Sequence, residues 1–240
     1  EDVAERAGVS VDYYARLEQG RGRNPTPAVL DALARALVLN EPERLYLHRL
    51  AHRSTEPAAI AGAISERTRT LLDTLQHVPA YVVDSRLDVL AWNPLADALL
   101  ELERRPVADR NLLWLLFCDT GSTEIEPEDR LRIGVSLVAQ LRARNASDPD
   151  DPRLRALVER VSAGSAEFRA AWDEHLVDDP GRGAKRIHHP ALGELQVEFE
   201  RLALPEAGQY LIVYLAPPGS PARRAFDLLA VVGRDALVAR

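Results

Sequence analysis

The chain has 240 residues, 46% apolar and 28% charged, the profile of a folded globular protein long enough for two domains. No apolar run approaches the roughly 18 residues of a membrane span and no secretory pattern is present, so a cytoplasmic protein is expected. The one cysteine, Cys118, excludes an internal disulfide and a cysteine-rich metal cluster. The net charge of −7 lends no support to a nucleic-acid partner as a total, but residues 1–53 hold eight acids and eight arginines and the rest of the chain carries the whole −7. Phosphate contact depends on the field at one face, so a neutral first module does not exclude it.

Residues 1–53 read as a run of short helices. Val3, Ala4 and Ala7 share one face of the first, which Gly8 breaks and Ser10 follows as an N-cap. From Ser10 to about Gln19, Val11, Tyr14 and Leu17 recur at three-residue steps as the inward face, and Gly20 ends the helix. Thr26 and Pro27 open a third helix, striped with Val29, Leu30, Leu33, Ala34 and Leu37. Asn40 and Glu43 have capping-box spacing before a last helix that turns Tyr46, Leu47, Leu50 and Ala51 inward. Residues 54–64, with Pro57 and little periodicity, are the expected linker.

Residues 65–240 form a second, mixed domain. A helix over about Ser65–Gln76 precedes two short strands, Ala80–Asp84 and Leu87–Trp92, around a polar turn. Asn93 and Pro94 start a helix carrying Leu95, Ala96, Leu99 and Leu100, and further helices are expected at about Glu126–Asn145, Pro152–Ser162 and Ser165–Leu176. Glu194–Leu202 alternates strictly, a strand with one wet face, whereas Gln209–Ala216 is apolar on both faces and fits a central strand. Short connections make the sheet antiparallel, and the tail past Pro221 reads as helical.

The segment from Glu1 to Leu37 resembles the second to fourth helices of an Xre-type helix-turn-helix, through Ala4, Gly8, Val9 and Ser10, then Arg16, Leu17 and Glu18, then Gly20 and Pro25. The family's first helix has no counterpart ahead of it, so the chain is expected to be part of a longer protein. Two helices braced by a glycine turn hold the second rigidly enough to enter the major groove. With Val11, Tyr14 and Leu17 committed to the core, Asp12, Tyr13 and Arg16 face outward. Arg16 suits a bidentate contact to guanine, and Ser10 and Arg21 suit phosphates at the groove edges. The partner is then double-stranded DNA, bound by a homodimer at an inverted repeat with half-sites roughly 34–36 Å apart.

The stretch from Tyr81 to Leu100 resembles the opening of a PAS domain. Taken with Asn111–Phe117, Asp150–Val158, Ser165–His175, Lys185–Leu195 and Tyr214–Pro221, the whole chain resembles the MmyB-like regulators of actinobacteria. The 29 arginines against one lysine suit a GC-rich genome of that kind. The resemblance implies an α+β protein: an all-α helix-turn-helix domain, then a PAS-like domain whose antiparallel sheet is covered by helices around a pocket for a small apolar ligand such as a fatty acid. Residues offered for that pocket are Trp92, Trp114, Phe168 and Trp172, with His175 and Arg186 for a head group. Each tryptophan has the plain alternative of core packing, and His175 that of a buried neutral histidine bonded to backbone.

No phosphate-binding glycine loop, nucleophile elbow or zinc-protease helix is present, and Cys118 has no nearby histidine in sequence, so no enzyme is expected. His188 and His189 invite a metal, but adjacent strand residues point to opposite faces and no third ligand is placed; neither metal nor cofactor is expected. The competing function is a DNA-binding regulator whose second domain is a protein-interaction module without a ligand. A closed apolar cavity between sheet and helices separates the two readings.

Overall fold

A computed structural model describes residues 2–19, 25–40, 43–44, 47–48, 51, 63–119, 124–173, 182–205 and 208–232. In the N-terminal region α1 (Asp2–Ala7), α2 (Val11–Glu18) and α3 (Pro27–Ala36) fold as their local signals require. Gly8 takes φ +68, the left-handed turn between α1 and α2. Ser10 Oγ accepts from Tyr13 N at 3.2 Å, and Thr26 Oγ1 accepts from Val29 N at 3.4 Å. The Asn40–Glu43 box closes in both directions, at 2.8 and 2.9 Å. Ala7, Leu33 and Ala36 form the core, with Val3, Tyr14, Leu17 and Leu47 against it.

Two stripe residues leave that core. Val11 is 47% exposed and Leu37 42%. Val11 is the first residue of α2 and Leu37 the C-cap of α3, so each lies where its helix has run out of partner to pack on. Tyr46, Leu50 and residues 54–62 of the expected linker lie outside the described residues.

The second region is a six-stranded antiparallel sheet in the order β2-β1-β6-β5-β4-β3. Its strands are β1 (Ala80–Val83), β2 (Val89–Trp92), β3 (Glu124–Ile125), β4 (Arg182–His189), β5 (Gly193–Ala203) and β6 (Tyr210–Leu215). The helices are α4 (Glu66–Thr74), α5 (Pro94–Leu100), α6 (Leu112–Phe117), α7 (Pro127–Ser147), α8 (Pro152–Gly164), α9 (Ala166–Asp173) and α10 (Pro221–Val232). The fold is α+β, as expected, with β6 central between β1 and β5.

Pleating sorts the sheet's side chains. Tyr81, Val83, Ile187, Leu195, Val197, Phe199, Ile212 and Tyr214 pack on one face with Leu99, Leu116, Ile133 and Phe226. Ala80, Val82, Leu211 and Val213 pack on the other with Leu72 of α4. A separate helical core joins Leu113, Val138, Leu141, Leu154, Val161 and Phe168. At Gly134 a Cβ would meet Phe117 Cζ at 2.5 Å, so the glycine lets α6 lie directly on α7.

The β1–β2 turn differs from expectation at Leu87. Asp84 Oδ1 accepts from Arg86 N at 2.8 Å and Asp88 N at 3.0 Å. That turn puts Leu87 at φ 69, outside any strand, and its side chain joins the helical core. The second strand therefore starts at Val89.

Candidate functional site

A cavity of about 520 Å³ lies between the sheet and helices α6 and α7, within the usual range for small-molecule sites. Strands supply Tyr81, Val83, Lys185, Ile187, Phe199, Arg201, Tyr210, Ile212 and Tyr214. The opposite wall is Leu112, Leu115 and Leu116 of α6 with Arg130, Ile133, Leu137 and Gln140 of α7. Arg105 and Asp119 join the lining as an ion pair at 2.6 Å, and Arg105 Nε donates to Leu100 O at 2.9 Å.

Eleven of the 24 lining residues carry polar or ionisable side chains, Glu126 and His188 among them. Lys185 Nζ donates to Tyr214 Oη at 2.5 Å, and the Tyr214 and Tyr81 hydroxyls are 3.1 Å apart. Burial first, and then the adjacent Tyr214, push the Tyr81 phenol well up, so it stays a neutral hydroxyl. Arg201 donates to Gln140 Oε1 and lies 4.8 Å from the Tyr210 ring centroid. The wall thus combines 13 apolar residues with 11 polar or ionisable ones, the mixture of apolar surface and placed polar groups found in small-molecule sites.

The residues expected to line the pocket lie elsewhere. Trp92 pairs with Tyr81 across the sheet, but on the edge strand β2, with the Arg110 guanidinium 5.0 Å from its ring. Trp114 turns away from the cavity to the helical core, its ring 3.8 Å from Arg160. Phe168 and Trp172 stack at 5.8 Å in that same core. Arg186 is drawn to the start of α7: its backbone N–H and Nε donate to Asp129 Oδ2 at 2.8 and 3.3 Å, and Nη2 reaches Glu128 at 3.3 Å. The lining of the cavity does not include these five residues. His175 lies outside the described residues.

Cys118 is not activated. Burial pushes its thiol up, against the weaker pull of Arg160. Among the described residues no three His, Cys, Asp or Glu side chains are grouped to hold a metal ion. No helix among them is long and apolar enough to cross a membrane.

On α2, Asp12 and Arg16 are exposed and paired with each other at 2.9 Å. Tyr13 is half-buried, and Ser10 is exposed while it caps the helix. Arg21 lies outside the described residues. Behind this face Asp31 ties α3 to the following segment through His48 at 2.9 Å and Arg44 at 3.1 Å. The His48 bond first, against the opposing effect of burial, and then Arg44 hold the Asp31 carboxyl below its ordinary range.

Comparison with known families agrees with both halves. Residues 1–47 match a helix-turn-helix domain. Residues 64–229, more than half of the chain, match the MmyB-like transcription regulator ligand binding domain. No curated protein matches the chain. The chain belongs to the MmyB-like transcription regulators, with a DNA-binding helix-turn-helix followed by a ligand-binding domain.

Proposed function

We propose that this regulator binds an inverted-repeat operator as a homodimer, and that an aliphatic ligand, of the kind a fatty acid chain supplies, sets its DNA affinity from the cavity. The carrying observation is the space of about 520 Å³ between sheet and helices, whose walls are mostly but not wholly apolar. The space is partly open to solvent and large enough to take up most of a medium aliphatic chain. Each buried methylene contributes about 0.8 kcal/mol, so a partly enclosed medium chain reaches micromolar affinity. No catalytic step is needed.

On the DNA side, Arg16 reads a guanine and exchanges its Asp12 partner for the base edge, while Ser10, Tyr13 and Arg21 sit at the backbone. On the ligand side, β1 and β6 carry Tyr81, Ile212 and Tyr214 toward the cavity and Val82, Leu211 and Val213 toward Leu72 of α4. The helix that follows the linker thus rests on the back of the cavity's own strands, a short physical route for coupling.

Native mass spectrometry of the purified protein, followed by calorimetry with delipidated chain, tests the ligand reading. One aliphatic molecule carried or taken up per chain is expected. Delipidated protein that takes up no fatty acid hands the domain to the protein-interaction reading. Selection from a randomised DNA pool is expected to return a twofold site; a single half-site bound by monomer contradicts the dimer.

A further inference from the structure

The chain's only lysine, Lys185, is 8% exposed and lines the cavity. Its Nζ is hydrogen-bonded to the Tyr214 phenol at 2.5 Å and lies 4.1 Å from that ring's centroid and 6.0 Å from that of Phe199. Among the described residues no carboxylate is within ion-pair reach of it. The other cations of the wall are engaged: Arg105 with Asp119 at 2.6 Å, Arg130 with Glu167 at 3.6 Å, and Arg201 with the Gln140 amide oxygen. A charge taken from water without a counter-ion is strongly unfavourable, and a phenol with two aromatic faces offsets only part of that cost. A second atom points the same way. Gln140 Nε2 is buried on this wall and has no acceptor among the described residues.

We propose that Lys185 is the ligand's counter-ion: the cavity selects an aliphatic carboxylate over a neutral chain of the same length. The head group lies inward against Lys185 and Tyr214, and the tail runs along Leu112, Leu115, Ile133 and Leu137. One ammonium matches one negative charge. A phosphate monoester, with nearly two charges at neutral pH, would leave the second unpaired in a buried site. The neutral Tyr81 hydroxyl behind Tyr214 completes a donor chain that fixes the phenol's orientation. The proposal rests on the cavity's taking an aliphatic ligand at all.

The test is calorimetric titration of the delipidated full chain with sodium dodecanoate and, separately, with dodecan-1-ol. The native chain is expected to bind dodecanoate at least about tenfold tighter than the alcohol, the worth of a charge-assisted hydrogen bond. In Lys185→Met and in Lys185→Gln the two affinities converge to within about threefold through loss of dodecanoate binding, and retained alcohol binding shows that the cavity is intact. Equal affinities in the native chain, or a native preference surviving in either variant, overturn the role of Lys185 and leave the aliphatic cavity standing. A native chain that takes up neither probe overturns the underlying reading and the proposal with it.

Discussion

Two helix caps differ in what depends on them. Ser10 opens α2 through one exposed bond to Tyr13 N, three residues away. Asn93 opens α5 through a bond from Ala96 N at 2.9 Å, but it is 1% exposed and does more. Its Oδ1 also accepts from Ala80 N at 3.1 Å, and its Nδ2 donates to Leu75 O at 2.6 Å and Val78 O at 2.8 Å. The first cap is a local event, written in four consecutive residues. The second joins a helix start, a strand and the chain leaving α4, so its meaning is assembled by the fold. The same contrast runs through both functional faces: the DNA-reading face stands on one helix, whereas the cavity wall is drawn from five strands and three helices.

The largest effect expected is therefore at Asn93. Asn93→Ala leaves several buried backbone groups unpaired and costs on the order of 3–5 kcal/mol, against about 1 kcal/mol for Ser10→Ala. Urea denaturation with an unchanged slope measures both; equal losses would break the comparison. Next is the cavity wall. Leu115→Trp places an indole where four or so methylenes would lie and weakens dodecanoate binding by about 3 kcal/mol, roughly a hundredfold, while the chain stays folded. Unchanged affinity would move the ligand to another site.

A smaller effect sharpens the DNA side. Arg16→Ala is expected to cost about 1–3 kcal/mol of operator binding and to relax preference at one base position. If all sequences weaken equally, Arg16 is a phosphate contact.

The smallest effect comes from His189, which burial holds below the ordinary histidine range against the Ala98 carbonyl and Glu101. Below about pH 6.5 the unfolded chain takes up a proton that the folded chain resists, so stability falls as pH drops through that range. The loss near pH 5.5 cannot exceed about 1.4 kcal/mol, the limit for a histidine that takes up no proton in the folded chain, and it should vanish in His189→Gln. A slope that survives the substitution belongs to another group.

What the sequence made legible follows the same division. Gly8, Ser10, Thr26 with Pro27, and Asn40 with Glu43 each act within a few residues, and all were readable from spacing alone. Strand alternation likewise placed β5 and β6. The cavity wall was not readable, for two physical reasons. Helix α6 is apolar all round, so its period cannot say that Leu112, Leu115 and Leu116 face the cavity while Trp114 faces the helical core. On β4 a one-residue step exchanges the faces. The sequence offers Arg186 for the head group, yet Lys185 is the inward residue and Arg186 tethers α7. The one available signal was composition: the single lysine among thirty cations.

The central claim is that the occupant of the cavity sets DNA affinity. It is tested most directly by measuring operator binding of the delipidated protein with and without saturating dodecanoate at fixed salt. A coupling of about 1–3 kcal/mol, a change of roughly 5- to 150-fold, is expected, and dodecanoate affinity must change by the same factor when operator is present. Identical operator affinity with and without bound dodecanoate would contradict the account.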